Sequence, residues 1–104
     1  GPELIDGGVN TPSLDGHPFI DPDERFIIFD SNRGGSGPMY NCLYICFRND
    51  DDTWGDAICL HDHLDIPRFV GQSCLSPDGR YLFYSFNGDM YWVSAEGLMD
   101  LREE

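Results

Sequence analysis

The sequence contains no lysine; its six basic residues are all arginine, set against 19 acidic ones for a net charge of −13. Nucleic-acid binding draws on clustered positive charge that displaces counterions from phosphates, so this balance argues against a nucleic-acid partner. No apolar run approaches the roughly 18 residues that cross a bilayer as a helix, which argues against membrane insertion. The chain begins Gly1-Pro2, without an initiator Met, a basic leader or an apolar leader segment, so no signal peptide is expected. Cys42, Cys46, Cys59 and Cys74 show no Cys-x-x-Cys spacing, and a zinc site is disfavoured. They read as small buried hydrophobes; the alternative is a disulfide, with Cys42 or Cys46 to Cys59 the easiest pair.

With 104 residues the chain is one small domain or part of a larger one. A hydrophobic content of 40% and an aromatic content of 13% exclude a disordered tail. Fourteen of the 19 acids are Asp. Its short side chain bonds nearby backbone N–H groups and so favours turns, which points to a turn-rich β protein. A lysine-free acidic surface also fits a salt-adapted source.

An internal repeat is the strongest signal. Pro22, Asp23, Arg25 and Phe29 recur 55 positions later as Pro77, Asp78, Arg80 and Tyr84, with Gly79 completing the second turn. In Pro22-Asp23-Glu24 and Pro77-Asp78-Gly79, Pro presets φ and Asp or Gly completes a reversal. The runs Arg25 to Ser31 and Arg80 to Phe86 are apolar on both faces, as in strands buried between stacked sheets. Asn87-Gly88 signals a type I′ hairpin, and Leu43–Arg48 with Trp54–Leu60 flank the acidic turn Asn49 to Thr53. The first copy carries eight more residues before its next strand, around Gly34-Gly35-Ser36-Gly37-Pro38. Ser94 is placed to cap a short helix over 95–102. About four strands per repeat is expected, with repeat one over about 10–60 and repeat two over about 61–94.

The run Ser76-Pro77-Asp78-Gly79-Arg80-Tyr81-Leu82-Phe83 resembles the core motif of WD40-like PD40 repeats, found in the TolB β-propeller and related bacterial proteins. Pro18 to Glu24 running into Ile27-Ile28-Phe29, Leu43 to Arg48, Trp54-Gly55 and Asp89 to Ala95 resemble the last two blades and closing segment of such propellers. The chain departs from the pattern at Met39-Tyr40-Asn41-Cys42 and at Asp51-Asp52-Thr53. The resemblance implies an all-β fold of two four-stranded antiparallel blades with a terminal helix. It further implies a periplasmic or extracellular setting and a non-catalytic role in binding a protein or small ligand. Propellers close with about four to eight blades, so the expected partners are other blades of the same parent chain or further copies of this one. The alternatives are the propeller portion of a peptidase-gating or glycan-active hydrolase, or a self-assembling two-blade protein.

No residue set points to catalysis or to a cofactor. His61 and His63, two apart on an expected strand, would point the same way and with Asp65 form the best metal-like cluster, His17 or Asp15 supplying a further ligand; a polar inter-blade loop is the plainer reading. Asp50-Asp51-Asp52 suggests a calcium loop but lacks the bidentate Glu, since His61 stands there. Gly34 to Gly37 lacks the Lys-Ser/Thr of a phosphate loop. Asp21, Asp23, Glu24 and Asp78 suggest paired carboxylates, but their repetition at equivalent turn positions reads as structural, with Asp23 or Asp78 capping its own turn and Arg25 and Arg80 pairing to neighbouring carboxylates. Tyr40, Tyr44, Trp54, Tyr91 and Trp92 read as inter-blade packing, with a ligand groove as the alternative.

Overall fold

β-branched and aromatic residues dominate the strands, and Pro-Asp or Asn-Gly pairs break the chain between them. The computed structural model describes residues 5, 7–10, 15–33, 42–67 and 70–103. Strands β1 (Asp15–Ile20), β2 (Phe26–Ser31), β3 (Cys42–Phe47) and β4 (Ile58–Cys59) form one antiparallel sheet in chain order. Strands β5 (Gly71–Leu75), β6 (Tyr81–Phe86) and β7 (Asp89–Ser94) form a second, also antiparallel and in chain order. The fold is all-β.

The two sheets repeat each other in backbone detail. The turn before β2 closes through Glu24 N–H to Asp21 O at 2.7 Å, and the turn before β6 through Gly79 N–H to Ser76 O at 2.8 Å. Glu24 and Gly79 both take left-handed backbone, at φ 59° and 75°. The register of each first strand slips at a bulge, between Gly16 and Phe19 in β1 and between Gly71 and Cys74 in β5. His17 and Gln72, at φ 47° and 52°, carry the two bulges, and they lie 55 positions apart like the turns. Asn87 and Gly88 both have positive φ, as a two-residue I′ hairpin requires.

Packing between the sheets is head to tail. The front of the first sheet, with Phe26, Ile28, Leu43, Ile45 and Phe47, buries against Leu82 and Tyr84 on the back of the second. Leu98 and Leu101 complete this core. The back of the first sheet, with Ile27, Phe29 and Cys46, is covered by Val9 and by Trp54 and Ala57. Arg33 clamps that cover: its two terminal nitrogens donate to Gly8 O and Val9 O, each at 2.7 Å, while its guanidinium lies over Phe29 and Tyr44.

Several expectations are corrected. The second sheet has three strands among the described residues, not four. The expected strand over Trp54–Leu60 reduces to Ile58–Cys59 and an isolated Arg48–Trp54 bridge; between them Gly55 N–H still donates to Phe47 O of β3, while Gly55 O accepts from Gly8 N–H. His61 lies in a 3-10 turn, Leu60–Asp62, with His63 just beyond it, so the two rings do not share a strand face. The terminal helix is a 3-10 segment over Leu98–Glu103, and Ser94 Oγ accepts the Glu96 N–H ahead of it. The glycine-rich loop Gly34 to Pro38 and Tyr40 lie outside the described residues.

Candidate interaction surfaces

The Pro-Asp turns are held by carboxylates, but not by equivalent ones. In the second turn Asp78 Oδ1 accepts from Ser76 Oγ at 2.7 Å and from Arg80 N–H at 3.0 Å, and these bonds pull its pKa below 3.8. In the first turn the cap is Asp21 rather than Asp23: its carboxylate accepts from the Arg25 backbone N–H and from Arg25 Nε and Nη2, at 3.0, 2.7 and 2.9 Å. The guanidinium holds the Asp21 pKa below its usual value. Arg80 does not copy that pair; its guanidinium lies 5.6 Å from the centre of the Tyr81 ring. Pro22 and Pro77 face a groove between the two turns, together with Asp23, Arg25, Asp78 and Gly79.

A second polar centre joins the sheets. Asp30, 3% exposed, accepts from His17 Nδ1 at 2.7 Å and from Gln72 N–H at 3.2 Å. Both donors are the bulge residues of the repeats. A Cβ on Gly71 would stand 2.9 Å from Asp30 Oδ2, so Gly71 is what lets the carboxylate approach the second sheet. Motif reading missed this centre, although Gly16-His17 and Gly71-Gln72 share the 55-residue offset.

Of the metal-like candidates, His61 and His17 are otherwise engaged. His61 Nε2 accepts the Leu43 N–H at 2.9 Å and Nδ1 faces Ile66 O at 3.4 Å. His63 and Asp65 are exposed, and His17 is drawn to Asp30. Among the described residues no group of three or more His, Cys, Asp or Glu side chains is arranged to hold a metal. In the acidic hairpin Asp51 Oδ1 accepts from Thr53 N–H and Oγ1, and Arg48 and Arg102 stand 3.7 Å from Asp52 and Asp50. All four cysteines are thiols. Cys46 lies opposite Ile27 and Cys59 opposite Tyr44, and burial pushes the Cys46 thiol up to about 11. Cys74 is exposed, against expectation.

The largest departure concerns the aromatics of β7. Pairing of Ser31 with Cys42 and of Phe86 with Asp89 sets the third strands 47 positions apart. Met90 and Trp92 therefore occupy the places of Leu43 and Ile45. Leu43 and Ile45 are 0% exposed, whereas Met90 and Trp92 are each 64% exposed. Trp92 packs edge-on against Tyr81 at 5.1 Å and lies opposite Phe83. With Cys74, these residues form an open, largely apolar front face on the second sheet. Tyr91, 44% exposed, stacks with Tyr84 on the other face. Comparison with protein-family models, curated proteins and solved structures finds no match to this chain.

Proposed function

We propose that the chain is a non-catalytic binding or scaffolding segment: two successive blades of a WD40-like β-propeller, whose open front face receives a further sheet of the same kind. One observation carries the reading. Positions that are fully covered in the first sheet by the back of the second are bare in the second. Burying a side chain the size of Met or Trp stabilises by about 1.5–3 kcal/mol, so this face gains by being covered. Its natural complement is a surface like the back of the second sheet, with Leu82 and Tyr84 presented toward it.

The test is sedimentation of the chain against a Met90→Arg/Trp92→Arg variant. The chain associates reversibly as concentration rises, and the variant stays monomeric with an unchanged far-UV CD spectrum. An Ile20→Arg variant, altered on the opposite strand edge, associates like the parent sequence. A chain that remains monomeric at high concentration, or association that survives in the double variant, overturns the reading.

A further inference from the structure

The Asp21–Arg25 turn, the Ser76–Arg80 turn and the 3-10 helix enclose a groove of about 520 Å³, within the roughly 300–1,000 Å³ span of small-ligand sites. Its floor is apolar: Phe26, Ala95 and Leu98 are buried beneath it, and Phe19, Leu75 and Met99 are partly exposed along it. Its rim is acidic and built from separate elements, with Asp23 on the first turn, Asp78 on the second and Asp100 on the 3-10 helix, all exposed. Arg25 is the only base that lines it among the described residues. That guanidinium is met bidentately by Asp21 at 2.7 and 2.9 Å, so among the described residues it forms no direct ion pair with Asp23, Asp78 or Asp100.

We infer that this groove binds an extended peptide segment of a partner protein, one that alternates apolar side chains with Arg or Lys. In an extended chain successive side chains point to opposite sides, so apolar residues meet the floor while cationic ones turn toward carboxylates on either bank. A compact cation has nothing to place on the floor, and an uncharged apolar ligand leaves the rim unanswered. The chain itself has no lysine and a net charge of −13, so its long-range field draws a basic segment in. The inference rests on the groove alone and not on the propeller reading.

The probe is a fluorescein-labelled Leu-Arg-Leu-Arg-Leu peptide titrated with the full chain and followed by fluorescence polarisation. Binding is saturable, and the D23N/D78N/D100N variant weakens it about tenfold, as expected for losing three exposed charge pairs. Asn keeps the acceptor oxygen that position 78 presents to Ser76 and Arg80. The D50N/D62N/D65N variant removes the same charge away from the groove and changes affinity less than about twofold. If the first variant loses its far-UV CD spectrum, D23N/D100N, which leaves the second turn intact, carries the same comparison. Absence of saturable binding overturns the assignment. So does equal weakening by both triple variants, which would mean bulk charge attraction, or displacement by spermidine at the peptide's own concentration, which would mean that the apolar floor contributes nothing.

Discussion

Asp21 shows how much one side chain does here. Its carboxylate caps its own turn, accepts the Arg25 backbone N–H and fixes the Arg25 guanidinium. Its pKa is lowered chiefly by the Arg25 side-chain hydrogen bond. A depressed carboxylate pKa contributes stability that is fully present above the ordinary value of 3.8 and is lost as pH falls through the lower folded value. Replacing Asp21 with Asn is expected to lower the urea midpoint at pH 7 and to flatten its fall below about pH 4. An unchanged acid limb in urea titrations would count against this role. The sequence points to a carboxylate cap in each turn but assigns the first to Asp23. Cap geometry depends on which oxygen reaches the N–H, and spacing alone does not fix that.

Within the elements, strands and turns were largely legible in the sequence, because Pro-Asp and Asn-Gly pairs impose φ directly and apolar runs mark what lies between. The bulges were not: His17 and Gln72 adopt positive φ without being Gly, and what stabilises them is contact with Asp30 from another strand. The strand expected from Trp54 to Leu60 is shortened to Ile58–Cys59, and Gly55 there divides its backbone between Phe47 O on β3 and Gly8 N–H from a distant segment. The cover over the first sheet offers a direct test. Arg33→Ala removes two hydrogen bonds to carbonyls and the cation lying over Phe29 and Tyr44, at a cost of about 2–3 kcal/mol. Cys46, buried with its thiol pushed up to about 11, should resist iodoacetamide at pH 8 in the parent protein while exposed Cys74 reacts. In Arg33→Ala the Cys46 modification rate, followed by peptide mass mapping, should rise at least about tenfold, the factor that a 1.4 kcal/mol easier opening supplies. An unchanged rate would show that the cover does not depend on the clamp.

Across the whole molecule, 19 acids against six arginines produce self-repulsion that opposes the compact state. Added NaCl is therefore expected to raise the Tm, most steeply below about 0.2 M, where the Debye length still exceeds about 7 Å; a Tm that is flat or falling in NaCl would contradict this. The composition made this property legible, and the repeat made two similar sheets legible. The repeat could not tell which faces meet, because the strands are apolar on both sides and alternation gives no direction. The reading of Trp92 as inter-blade packing depended on a neighbour that the described residues do not include. Head-to-tail contact between unlike faces normally propagates until it closes a ring or runs on as a fibre. Here the segment around Val9, pinned by Arg33, occupies the tail surface of the first sheet. With that surface already taken, the front face of another sheet finds it closed, and the Arg33 clamp acts as a stop at one end of the pair of sheets.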